Sequence, residues 1–155
     1  MIVERGLRMV DAPHLLLIRM TAQLDERGFT RYCEEWMRSV DARTPDSSVV
    51  AVYDIPSWPG LSAAQRKTWA AMLQSRKDVL QQTTAGMVLV SPSPLVRGAL
   101  TAIFWFAPPP YPHRVGADLE RAFAWACERE AGLRQAECLA LHGELLRDPA
   151  EASSV

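Results

Sequence analysis

Asp54, Arg66 and Arg97, with the hydroxyls of Ser57 and Ser62, are the side chains whose type and spacing suit chemistry. Asp54 ends the apolar run Val49-Val50-Ala51-Val52-Tyr53, where a strand gives way to the turn Ile55–Leu61. Carboxylates at such strand ends contact ligands or partners, and more often cap the turn that follows. Ser57 stands in that turn beside Trp58, a setting in which a hydroxyl accepts a phosphoryl group; Ser62 opens the helical pattern behind it as an N-cap. A phosphate on either would meet the positive end of a helix. Arg66 and Arg97 each lie within about one turn of a helix start. Facing one pocket they would hold an anion; apart they are ordinary surface cations. Trp58, Trp105 and Tyr111, the last among prolines, are the aromatic candidates for an apolar ligand mouth or a partner contact, with core packing as the plain alternative.

Other chemistry is absent at the level of motif. His14, His113 and His142 sit apart, with no HExxH and no histidine pair at helical spacing, so no metal is expected. There is no GxSxG elbow, no GxGxxG and no Walker A pattern, so no cofactor and no catalytic residue is assigned. The expectation is a non-enzyme. A cavity joining Asp54, Arg66 and a histidine would bring enzymatic chemistry back.

These residues need elements to hold them. A weak strand over Met1–Val10, with Gly6 inside it, precedes a stronger one over Leu15–Ile18, and the two can pair across Asp11-Ala12-Pro13. Phe29, Tyr32, Cys33, Trp36, Met37 and Val40 follow helical spacing. The Val49–Asp54 run reads as an interior strand. A long helix is expected from Ser62 to about Gln82, its buried stripe being Trp69, Met72, Leu73, Val79 and Leu80. Met87–Val90 is a second central strand. Ser93 caps, and Pro94 begins, a helix to about Phe106. That helix is apolar nearly all round with Arg97 its only charge, so it is buried on several sides or meets a partner. Pro108–Pro112 runs extended, His113–Val115 is a short edge strand, and helices follow over Leu119–Gly132 and Leu133–Leu146. The expected fold is α/β: a mixed sheet of about four to five strands packed with four to five helices. Residues 1–147 make a single domain and 148–155 a flexible tail.

Composition narrows the function classes. The 155 residues carry 17 Lys and Arg against 18 Asp and Glu, a net charge of −1, so no basic stripe points to nucleic acid. Cys33, Cys127 and Cys138 form no CxxC and read as buried, reduced thiols, which suits the cytoplasm. The first residues lack a signal-peptide pattern, and the longest apolar stretch, Ala99–Ala107, is too short to span a bilayer.

The order of elements resembles the SpoIIAA-like, or STAS-like, fold of bacterial anti-sigma-factor antagonists, and in particular its uncharacterised bacterial branch. The resemblance covers residues 1 to about 131. It rests on Val49–Asp54, on Ser91-Pro92-Ser93-Pro94-Leu95-Val96-Arg97-Gly98 and on Ala122-Phe123-Ala124-Trp125-Ala126. It implies a regulatory module that signals by protein–protein interaction. The family's regulators are switched by phosphorylating a serine in an Asp-Ser-Ser/Thr-Gly turn after the central strand. Here that stretch reads Asp54-Ile55-Pro56-Ser57-Trp58-Pro59-Gly60-Leu61-Ser62, without the motif, and Ser57 or Ser62 substitutes by position. Two functions follow as expectations. One is a regulatory module with a protein partner or a homodimer contact. The other is a carrier for a small apolar, lipid-like or anionic ligand, held by Arg66, Arg97 and the aromatic residues.

Overall fold

Near-continuous apolar runs mark the strands that are buried on both faces, and the computed structural model, which describes residues 2–57 and 60–147, follows that pattern. Trp58 and the expected tail 148–155 lie outside the described residues. Strands β1 (Ile2–Glu4), β2 (Leu7–Ala12), β3 (Leu15–Met20), β4 (Val49–Asp54), β5 (Thr84–Val90) and β6 (His113–Gly116) lie side by side in chain order. The first three are antiparallel and the last four run parallel. The mixed sheet is as expected.

Six strands form rather than four or five because the segment 1–10 divides at Arg5-Gly6. Gly6 sits at φ +85°, and a side chain there would begin 2.8 Å from the Ala22 Cβ and 2.9 Å from its carbonyl oxygen. Thr21 N–H donates to the Gly6 carbonyl at 2.9 Å, fastening the turn to the end of β3. Gly6→Ala is therefore expected to cost about 2 kcal/mol, read as a lowered urea midpoint at unchanged slope. The β2–β3 turn falls at Pro13-His14, slightly later than expected. Ala12 pairs with Leu15, and His14 takes a left-handed φ of 66°.

Six helices pack on the sheet: α1 (Glu26–Asp41), α2 (Ala63–Ser75), α3 (Lys77–Thr83), α4 (Pro94–Phe106), α5 (Leu119–Arg129) and α6 (Gln135–Leu146). Four of them start on a side-chain cap: Asp25, Ser62, Ser93 and Asp118 each accept a backbone N–H three residues on, satisfying groups that the helix cannot. The single helix expected over 62–82 breaks at Arg76, whose backbone leaves the helical region (φ −115°, ψ 16°). Its guanidinium grips both carboxylate oxygens of Asp41 at 2.8 Å, and that hydrogen bonding holds the Asp41 carboxyl below its ordinary range.

Helices α1 to α4 cover one face of the sheet, over Leu16, Ile18, Ala51, Tyr53, Met87 and Leu89. Helices α5 and α6 cover the other, over Leu15, Leu17, Val50, Val52, Val88 and Val90. Successive residues of β3, β4 and β5 thus enter opposite cores, the signature of strands buried on both sides. On the second face Trp125 lies directly on the backbone of Gly86, where an added Cβ would be 2.7 Å from the ring. Cys33 and Cys138 are buried and Cys127 is half-buried. Burial pushes the Cys33 thiol up to about 11 and Cys138 up to about 12. Among the described residues, no helix is long and apolar enough to cross a membrane.

Candidate functional site

Strand register sets a row of charges across three neighbouring strands. Arg8 on β2 lies opposite Arg19 on β3, and Arg19 lies beside Asp54 on β4. Alternation puts all three on the side covered by α6, after the apolar series Leu15, Leu17 and Val50, Val52. Arg19 Nη1 donates to Asp54 Oδ2, and His142 Nε2 of α6 lies 2.9 Å from the same oxygen. The Asp54 side chain is 5% exposed. A carboxylate this deep needs cationic or hydrogen-bonding partners to offset lost hydration. Arg8 Nη1 donates to the carbonyl of Leu145, and to that of Arg147 at 2.7 Å, satisfying acceptors that the last turn of α6 leaves open.

The Asp54 carboxylate, expected to contact a ligand or partner or to cap the following turn, is bonded inside the protein by Arg19 and His142. Among the described residues Asp54, Arg66 and a histidine share no hydrogen-bond partner. The histidine comes from α6 and the arginine from β3, while Arg66 Nη1 donates to the Leu61 carbonyl at 2.6 Å. An imidazole held by a carboxylate is half of a general-base arrangement. Among the described residues no hydroxyl or thiol bonds His142, and its ring meets the edge of Phe123 at 6.2 Å between centroids. The arrangement works as a clamp between β3, β4 and α6. Nor do three His, Cys, Asp or Glu side chains converge as a metal set among the described residues.

The other expected site residues are spread over the α1–α4 side. Arg97 Nη1 donates to the carbonyls of Ser91 (2.8 Å) and Pro92 (3.0 Å). Arg66 and Arg97 thus each satisfy the loop before their own helix and share no hydrogen-bond partner among the described residues. Ser62 is held in a capping box, its Oγ accepting from Gln65 N–H at 3.1 Å while Gln65 Oε1 accepts from Ser62 N–H at 3.0 Å. Ser57 is exposed, and its Oγ donates to the Thr21 carbonyl at 3.2 Å. Tyr111 is half-buried and packs against the first core, with its hydroxyl 3.9 Å from Met87 Sδ. Phe104 meets His113 edge-on at 4.8 Å.

Trp105 is different: it is 80% exposed, Leu95 is 84% exposed and Ile103 46%. At about 100° per residue, Trp105, Gly98, Ala102, Leu95, Ala99 and Ile103 follow one another around the outer arc of α4. Val96 and Leu100 point inward. No charged side chain lies on that arc, and an added Cβ at Gly98 would meet nothing within 4 Å. The exposed face of α4 is thus apolar, uncharged and low in relief at its centre.

Sequence reasoning missed Arg8, Arg19 and His142. A signal existed for two of the row's members: the same-face series Leu15, Leu17, Arg19 and Val50, Val52, Asp54 end in opposite charges. Nothing local marks His142, which is 88 residues from Asp54.

No family model and no curated protein matches this chain. Among the solved structures that resemble it are two of note. One is an uncharacterised protein of the DUF3478 family with a SpoIIAA-like fold from Shewanella loihica PV-4, with a TM-score of 0.59 at 16% identity, covering 78% of this chain and 92% of that one. The other is the anti-sigma factor antagonist SpoIIAA in its unphosphorylated form, with a TM-score of 0.48 at 16% identity, over 75% of this chain and 91% of that one. This chain has the SpoIIAA-like α/β fold.

Proposed function

We propose that this chain is a non-enzymatic regulatory or protein-interaction module, a single domain over residues 1–147 acting in the cytoplasm, and that it docks its partner on the outer face of α4. The observation that carries this reading is the uncharged arc from Trp105 through Leu95 to Ile103, with two of its large side chains at least 80% exposed. Apolar surface of this kind, without a charge across it, is stabilised by being covered. Gly98, Ala99 and Ala102 along its centre allow a second helix to approach closely, and the flanking Leu95 and Trp105 supply the area that such contacts depend on. The simplest occupant is the same helix of a second copy, since twofold dimers are the commonest soluble assembly and use one patch twice. Free thiols in place of disulfides fit a reducing compartment. Of the two serines considered for phosphoryl transfer, Ser57 is the accessible one, and any such switch belongs there.

Light scattering after size exclusion tests the reading. Wild type is expected at twice the 17.3 kDa chain mass, while Trp105→Arg and Leu95→Arg run as monomers with unchanged circular dichroism. A wild type that stays monomeric at roughly 0.1 mM, a concentration that fills a micromolar dimer, would overturn the self-association reading.

A further inference from the structure

The charged row ends at a depression that the clamp does not use. Its volume is about 370 Å³, and it is walled by Arg5 and Gly6 of the β1–β2 turn, by Arg8 and Arg19, by Thr21, and by Leu145 at the end of α6. Three arginines and no acidic side chain line it among the described residues. Directly opposed like charges on paired strands destabilise a sheet, yet Arg8 and Arg19 stand in that register. Their neutralisation is partial. Asp54 answers Arg19 from one side and also faces His142, while among the described residues Arg8 is met by the carbonyls of Leu145 and Arg147 alone. Arg5, exposed on the turn, forms no hydrogen bond or ion pair with any described residue. The local charge is therefore positive in a chain whose net charge is −1.

From this geometry we infer that the depression is a binding site for a small soluble phosphate monoester. A guanidinium presents its donors in a planar fork that matches phosphate oxygens, and a dianion is the ligand that answers a surplus of two or more positive charges. Arg19 is held in place by Asp54 and Arg8 by the end of α6, so two of the three forks are oriented before the ligand arrives, which lowers the ordering cost of binding. Arg5, unpartnered among the described residues, is the group that closes on it. The volume lies at the low end of the range for small-molecule sites, so the phosphate takes the arginine end and a short carbon body rests on Leu145. This site lies at the α6 side of the sheet, apart from the α4 face, and it stands or falls independently of the docking surface.

Calorimetric titration at low ionic strength with inorganic phosphate and with glycerol 3-phosphate tests the assignment. Arg5→Glu is the informative variant, because Arg5 bonds no described residue of the fold; Arg66→Glu makes the same charge change on α2. Wild type is expected to bind both probes, with glycerol 3-phosphate the tighter. Arg5→Glu is expected to lose about tenfold or more in affinity, the size of one charge-assisted contact, and Arg66→Glu to change less than about twofold. The inference is overturned by equal losses in the two variants, which would mean net charge alone, or by no wild-type binding at roughly 10 mM probe. It is equally overturned if the protein ignores both soluble probes and binds only vesicles containing phosphatidic acid, which would make the arginines a membrane contact.

Discussion

Asp54→Asn is expected to lower the stability of the fold by about 3 kcal/mol, the low end of the range for removing one partner of a buried ion pair. The low end applies because the Arg19 side chain keeps 23% of its exposure and can turn partly to water. The loss has two sources. Arg19 and His142 lose the negative charge of the acceptor they share, and Arg19 then stands opposite Arg8 without that carboxylate to offset the like charge. Asparagine keeps the shape and one acceptor oxygen, so the change isolates the charge from the packing. Urea unfolding gives the measurement. The double change Arg19→Met with Asp54→Leu is expected to recover most of the loss, because an apolar pair of similar volume carries no desolvation cost at this depth. A loss below about 1 kcal/mol for Asp54→Asn would assign the row no more than a surface pair contributes.

The row also shows which parts of this molecule can be read before the structure is known. Elements written in consecutive residues were legible: the Val49–Asp54 strand, the Phe29–Val40 stripe, the capping serines 62 and 93 and the helix ending at Phe106 all form where the pattern places them. Each depends on local geometry that a few residues determine. The breaks were harder. Gly6 reverses the chain because φ +85° is open to glycine, but a lone glycine in a strand pattern is as consistent with a weak strand as with a turn. Arg76 ends α2 with no glycine or proline to announce it. The site was the least legible part. Asp54 was identified as important, yet its partners lie 35 residues before it and 88 after. Their meeting depends on strand register and on how α6 crosses the sheet, and neither is encoded near Asp54. The two arginines considered for an anion show the complementary case. Arg66 and Arg97 each have carbonyls within a few residues that satisfy them, and the local bond takes precedence over a distant one.

The largest pH effect is expected on the alkaline side, because the chain holds three tyrosines and all three are held above their ordinary range. Burial is the main cause for Tyr32, Tyr53 and Tyr111 alike. Tyr32 and Tyr53 also place their hydroxyls 3.4 Å apart, so one phenolate there would face another phenol in an apolar core. Arg43 pulls Tyr53 and Tyr111 slightly back, though burial lowers its own pKa as well. The two buried thiols act in the same direction, raised from an ordinary 9.0 to about 11 for Cys33 and about 12 for Cys138. A group whose folded pKa is raised contributes stability that is complete below its unfolded value and is lost as pH climbs through the folded value. The window therefore opens near pH 9 for the thiols and near pH 10 for the phenols. Each unit of displacement is worth about 1.4 kcal/mol per group, against a total stability of roughly 5–15 kcal/mol for a domain of this kind, so several such groups titrating together are enough to unfold it. Tyrosinate absorbance at 295 nm is expected to stay flat through pH 10, where an exposed phenol is already half ionised, and then to rise in a single step that coincides with the loss of far-ultraviolet circular dichroism. Tyr111→Phe should remove about a third of that amplitude and leave the step cooperative, since one of three equal chromophores is gone and the Tyr32–Tyr53 pair remains buried. Smooth ionisation centred near pH 10 with the circular dichroism intact would place at least one of these phenols in water and remove the basis for the alkaline transition.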